Sequence, residues 1–363
     1  MERAIKSYRR STVKHRLGQA VAPYPLTEEA AAPNIITTKG LACGVVDVHM
    51  DMSPRQENEN FGWLWQLVRK INAQKRPVVS LYLSGFDLDF FYRWGLPFVR
   101  KKLVLVTGDC DNDVDANYRF GHPLRSSKVL ALHAQNLDFD HPMAKPFPIG
   151  LDFHTSYKGN LHSWTPGVSP SPKQQEQDLL AIRDRAAPFQ QRTHGTVVSF
   201  SVGTNIPVRN ACAVRLKQVP SSYFPSKPVP REEFWALMAS YQFVASPLGC
   251  GFDCHRTWEA LALGAVPIIR RKPLMSPLFE DLPVWEVDDY RQVTPKSLRA
   301  KEQEVVQGLR DGRYNFEKLT VSYWRDDVAQ TVEALLAADE LRPYAPVSNT
   351  TNASETASSL RQI

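Results

Sequence analysis

Apolar residues in this chain follow two alternating rhythms. Short runs at residues 44–50, 78–83, 102–107, 128–134 and 147–151 are apolar almost throughout. Continuous runs of that length predict strands covered on both faces. Between them, residues 60–74 set Trp63, Leu64, Leu67, Val68 and Ile71 three and four positions apart, and residues 88–99 carry an aromatic face. Both predict helices. The same alternation resumes later, with strands at 196–201 and 284–287 and helices within 203–217, 232–240, 295–309 and 316–338. The stretch from Tyr241 to Ile269 reads as strand, glycine loop, helix starting near Asp253 and ending at Gly264, then strand. Strands alternating with helices predict an α/β class with mainly parallel sheets.

A chain of 363 residues is expected to form about two domains, because single cores rarely grow past ~250–300 residues. The expected division is a flexible basic arm (1–34), an α/β domain (35–160), a linker (161–194), a second α/β domain (195–340) and a disordered tail (341–363). The turn-rich run Ser163–Pro172, followed by a polar helical segment, marks the linker, and Ser, Thr and Asn crowd the tail.

The glycine loop carries the sharpest chemistry. Gly249 and Gly251 feed a helix N-terminus, where backbone N–H groups and the positive end of the dipole suit a phosphate. Asp253 is the expected N-cap. His255 and Arg256 then fall in the first turn, where a cation opposes the dipole unless an anion sits before it. Glu259 lies one turn on and would face the same mouth. Asn205 and Arg209, after the strand at 196–201, offer a second phosphate contact. The bland alternative is a tight strand-to-helix turn with solvated charges and a Glu259–Arg256 surface pair. Trp258, Leu261 and Leu263 read as core.

The segment Ser246-Pro-x-Gly-x-Gly-x-Asp253-x-His255-Arg256-x-Trp258-Glu259-Ala-Leu-x-x-Gly264-x-x-Pro267 resembles the donor-binding segment of exostosin-like glycosyltransferases, in a subgroup seen in algae, bacteria and large viruses. Val106-Thr-Gly-Asp109-Cys-Asp111, His141-Pro142, Pro148-Ile-Gly150-Leu-Asp152-Phe-His154-Thr155 and Leu282–Tyr290 extend the likeness over roughly residues 100–295. The resemblance implies two Rossmann-like domains facing a central cleft, the GT-B arrangement. It also implies a nucleotide-sugar donor, a UDP-sugar, held by Ser246, the glycine loop, Arg256 and Glu259, with Glu259 on the ribose. No cofactor beyond that co-substrate is expected. The acceptor would be a saccharide hydroxyl.

The first half should then supply a carboxylate base. Asp109-Cys-Asp111-Asn-Asp113 follows a strand end; Asp111 is the first candidate, with Asp109, Asp152 and His154 as alternatives. Two alternatives stay open. The overlapping Asp-x-Asp pairs would suit a metal-dependent GT-A enzyme, although Asp87/Asp89 and Asp138/Asp140 share that spacing. The fold could also serve as a non-catalytic nucleotide- or glycan-binding module. Cys250-x-x-x-Cys254-His255 lacks the further ligands of a zinc site.

Charge and cysteine content narrow the partners. The net charge of +6 sits mostly in Arg3, Lys6, Arg9, Arg10, Lys14 and Arg16, so it argues little for nucleic acid. Five cysteines, an odd number without framework spacing, favour free thiols in a reducing compartment. No window reaches the ~18 apolar residues of a membrane span, and the N-terminus lacks the apolar core of a signal peptide. A cytoplasmic location is expected.

Overall fold

The computed structural model describes residues 33–50, 61–117, 122–153 and 170–340. The basic arm, residues 154–169 with His154, and the tail lie outside them.

Two parallel sheets organise the chain. The first half runs α1 (Thr38–Gly44), α2 (Phe61–Asn72), β1 (Val78–Ser84), β2 (Lys102–Gly108), β3 (Val114–Asp115), β4 (Val129–Ala134), β5 (Leu137–Asp138) and β6 (Ala144–Pro146). Strands β1-β2-β4-β6 pair in that order, all parallel, and β3-β5 form a separate parallel pair. Every residue of β1 is buried, as a run of Val, Leu and Tyr covered on both faces should be. The second half runs α3 (Pro172–Arg185), β7 (Thr193–Val197), α4 (Ile206–Leu216), β8 (Ser222–Tyr223), α5 (Arg231–Ser240), β9 (Tyr241–Ala245), α6 (His255–Ala262), β10 (Val266–Arg270), β11 (Trp285–Val287), α7 (Pro295–Arg310) and α8 (Val321–Glu340). Its sheet has the order β11-β10-β9-β7-β8, again parallel.

Local chemistry starts the longer helices. Ser171 caps α3, Asn205 caps α4 and Thr294 caps α7 through a capping box with Ser297, each followed by a proline in the first turn.

Several expected elements differ; the strand expected at 196–201 runs instead over Thr193–Val197. Residues 44–50 form no strand: Thr37 caps α1 instead, accepting from the Gly40 N–H at 2.9 Å, and only Val48 bridges to Leu81. The sheet takes Ala144–Pro146 in place of 147–151, because Gly150 turns the chain at φ 69° and leaves Leu151 to bridge Thr37. The helix over 88–99 is only one α-turn (Leu88–Phe90), which widens into a π-turn (Phe91–Gly95) and a 3-10 turn (Leu96–Phe98) around Gly95 and Pro97.

The cores are unequal. The larger joins the first sheet to Trp235 and Met238 of α5, Trp258 and Leu261 of α6, and Trp324, Val328 and Val332 of α8. The smaller sits on the second sheet around Phe189, Cys212, Leu216, Phe243 and Ile268. Helix α6 therefore stands on a buried seam between the two sheets.

Candidate functional site

Asn136 ties the two candidate loops together. It follows β4 in the left-handed region, φ 55°, and is fully buried. Its Nδ2 donates to the Cys110 carbonyl (3.2 Å), and its Oδ1 accepts from the N–H groups of Phe252 (2.8 Å) and Asp253 (3.2 Å). One side chain thus bridges the acidic loop after β2 and the glycine loop after β9. Sequence reading missed it; an asparagine just past an apolar strand was the only signal.

The glycines answer to this packing. Neither Gly249 nor Gly251 has positive φ. A Cβ at Gly251 would lie 2.4 Å from Asn136 Nδ2, and one at Gly249 would lie 2.9 Å from an Arg209 nitrogen. Glycine is needed for close approach.

Several candidate ligand-binding groups already bind protein. Asn205 Nδ2 donates to the Gly249 carbonyl (2.9 Å), while Arg209 donates from Nε to Leu248 O (3.0 Å) and from Nη1 to Ser201 O (2.8 Å). These two shape the glycine loop from α4. The Ser246 hydroxyl is buried against Thr257 Oγ1 at 2.9 Å.

Asp253 is not the N-cap; Cys254 holds that position, without a side-chain cap. The Asp253 carboxylate instead crosses the seam. It accepts from Ile149 N–H (2.8 Å), Trp258 Nε1 (2.8 Å) and Cys254 N–H (2.8 Å). Burial pushes its pKa up to about 6, against the downward pull of those three donors. The His255 Nδ1 lies 2.7 Å from Gly150 O, again across the seam.

Glu259 points into a buried network rather than a mouth. Its Oε1 accepts from Trp235 Nε1 (3.1 Å) and pairs with Arg231 at 3.4 Å. Arg231 also donates to Gln175 Oε1 (3.1 Å) and to the Asp152 carbonyl, and stacks over the Trp235 ring. Arg231 and Trp235, at the start of α5, carried no signal in sequence. Trp258, Leu261 and Leu263 are core, as expected.

Arg256 is the exception. It makes no hydrogen bond or ion pair with any described residue, and its Nε is enclosed without a partner. Its guanidinium carbon lies 5.6 Å from the Phe234 ring centroid. Burial lowers its pKa; Glu259 raises it and Arg209 lowers it further. Two guanidiniums thus flank the glycine loop: that of Arg209 is held by backbone carbonyls, and that of Arg256 has no hydrogen-bond or ion-pair partner among the described residues.

On the other side, Asp109 sits at φ 53° at the end of β2. It pairs with the buried Lys39 at 2.5 Å and donates its N–H to Gln135 Oε1 (3.0 Å). Lys39, within Thr-Lys-Gly, gave no warning of burial. Asp111 is exposed and close enough to the glycine loop to help raise the Cys250 thiol pKa, after burial. Asp113 is raised by burial and by Asp138, with Lys272 opposing. Lys272 reaches back from the second half, 3.9 Å from Asp138 and 3.8 Å from the Phe252 ring centroid. Asp152 is buried. His154 lies outside the described residues. Among those, no group of three His, Cys, Asp or Glu converges as metal ligands, and no helix is long and apolar enough to cross a membrane.

Arg256 thus keeps a charge without a hydrogen-bond partner beside the glycine loop, whereas the loop N–H groups of Gly249, Phe252, Asp253 and Cys254 already bind protein acceptors. No protein-family model and no curated protein sequence matches the chain.

Proposed function

We propose that this chain is a glycosyltransferase that moves a sugar from a nucleotide-sugar, a UDP-sugar, to a saccharide hydroxyl, with its two parallel sheets acting as the facing lobes of a GT-B arrangement. The observation that carries this reading is the unpartnered Arg256 guanidinium in the first turn of α6, beside the glycine loop. A half-buried guanidinium whose Nε is enclosed without an acceptor is costly unless a ligand supplies one. A diphosphate does so, and the helix dipole adds to the attraction.

In the proposed reaction the acceptor hydroxyl attacks the anomeric carbon and forms the new C–O bond. The bond from that carbon to the diphosphate breaks, its electron pair stays on the phosphate oxygen, and Arg256 stabilises the growing charge. With inversion at that carbon, the hydroxyl proton passes to a carboxylate. Asp111 is favoured as that base over Asp109, whose carboxylate is engaged with Lys39. Asn136 and Asp253 act by positioning: Asn136 fixes the acidic and glycine loops relative to each other, and Asp253 ties the glycine loop to Ile149.

Calorimetry with UDP and UDP-sugars tests the binding half. Arg256→Ala should weaken binding at least ~100-fold with the fold intact, the scale of a lost charge-assisted contact; unchanged affinity sinks the reading. Asp111→Asn should bind donor like wild type yet lose turnover by ~100-fold or more. Binding without turnover by the wild-type chain would favour the non-catalytic module. Activity that chelation removes and manganese restores would favour the metal-dependent enzyme.

A further inference from the structure

The strands of the first sheet end at the seam and begin on the opposite edge, and that far edge is predominantly basic. Residues 75–77 and 126–128 immediately precede β1 and β4, and residues 100–102 lead into and open β2; the three strands run parallel, so all three segments lie there together. Arg100, Lys101, Lys102 and Lys128 come from these segments, and Arg69 from the last turn of α2. Among the described residues none of these cations has a carboxylate partner. The acids nearby are engaged: Glu333 pairs with Arg76 at 2.8 Å, and Asp47 accepts from the N–H and hydroxyl of Ser80.

An apolar knob rises from the same edge. Phe98 is 54% exposed and Trp65 38%, and their rings pack edge-on with centroids 4.8 Å apart. The knob is braced from beneath. Lys128 Nζ donates to the carbonyls of Leu96 (2.9 Å) and Pro97 (2.8 Å). Asn72 donates from Nδ2 to Phe98 O (3.1 Å) and accepts at Oδ1 from Arg100 N–H (2.8 Å). Exposed aromatic rings beside cations that lack carboxylate partners, of which Lys102 donates to the Ser127 carbonyl at 2.8 Å, match the chemistry of an anionic lipid surface: rings enter the headgroup layer while Lys and Arg lie against phosphates. A nucleic acid fits less well. Of the amides on α2, Asn72 is occupied at both ends, and the pair of rings is packed edge-on rather than opened as a stacking platform.

We propose that this edge docks the protein on anionic membrane lipid, Phe98 and Trp65 entering the headgroup layer and Arg69, Arg100, Lys101 and Lys102 facing the lipid phosphates. The seam, at the other end of the same strands, then faces the aqueous side and remains accessible. This inference stands apart from the transferase reading, because it uses a different face.

Co-sedimentation of the full chain with vesicles tests it, using phosphatidylcholine alone and phosphatidylcholine mixed with phosphatidylserine. Binding should require the anionic lipid and fall as salt is raised. The double variant Arg100→Gln/Lys101→Gln should bind about thirtyfold more weakly, roughly fivefold per cation, and Phe98→Ser roughly tenfold more weakly. Neither Arg100 nor Lys101 makes a side-chain hydrogen bond among the described residues, so the double variant should unfold thermally like wild type, while Phe98→Ser, which loses the Trp65 contact, should melt slightly lower yet stay folded at the assay temperature. Three results overturn the proposal: equal binding to neutral vesicles, undiminished binding by the double variant (which would assign the attachment to the basic arm), or binding of a single-stranded oligonucleotide with none to either vesicle.

Discussion

Asp253 binds three N–H donors with two oxygens in a site sealed from water, and its protonation is therefore coupled to folding. Its folded pKa of about 6 lies above the ordinary 3.8, so the folded state holds the proton more tightly than the unfolded chain. The associated stability is fully present below pH ~4 and is lost as pH rises toward about 6, on the order of 2–3 kcal/mol. Urea titrations at several pH values should show that slope in the wild type and not in Asp253→Asn. The asparagine should also cost about 1–3 kcal/mol, because its amide turns a donor toward another N–H. An identical slope in both proteins would remove Asp253 from this role. Gly251→Ala tests the opposite side of the same contact. Its Cβ would overlap Asn136 Nδ2, and the unfolding free energy from chemical denaturation should drop by about 1–3 kcal/mol. That position was recognisable as a glycine of consequence, but the partner that demands it lies more than a hundred residues away in sequence.

Helix α8 shows what a well-patterned element leaves undetermined. Its periodicity is plain, yet the sheet it covers is the first one, reached after the entire second half. Trp324, Val328 and Val332 pack there, and Asp327 fixes the register. Asp327 lies 3.3 Å from the Nδ1 of buried His133 on β4 and 3.1 Å from Lys145 on β6. Burial raises the Asp327 pKa, but His133 and then Lys145 outweigh it and the net shift is downward. A depressed carboxylate contributes stability above its unfolded pKa and loses it as pH falls through the folded value. Asp327→Asn should therefore destabilise by about 1–2 kcal/mol at neutral pH and by progressively less below pH ~4, read as the difference in urea midpoint between the two proteins. A difference independent of pH would mean packing, not charge, holds the helix. Although the cap expected from the sequence, Asp253, is not one, the caps of α3, α4 and α7 each lie within four residues of what they cap, so that kind of signal is local. The π-turn at Phe91–Gly95 was not, since apolar spacing does not distinguish a helix from its wider variant.

The two sheets are fastened to each other by Asn136, Asp253, His255 and Arg231, so a ligand seated at Arg256 is expected to stabilise both together. Under the transferase reading, a thermal-shift screen of nucleotide-sugars should find a donor that raises Tm by several degrees at ~100 times its Kd, where mass action supplies ~2.7 kcal/mol. The shift should vanish in Arg256→Ala. A panel without any stabilising nucleotide would leave the α/β fold intact and refute the donor site.

Chain order and local patterning were enough to establish the α/β class, the extents of most strands and helices, and the glycine loop that leads into α6. Those features depend on neighbours a few positions apart, where periodicity and capping act. Which polar groups of that segment serve the protein and which one remains without a partner emerged only in three dimensions. Asp253 meets Ile149, His255 meets Gly150 and the loop amides meet Asn136 across separations of 104 to 117 residues. Burial and pairing at such distances follow from how the sheets pack, and no local spacing encodes them.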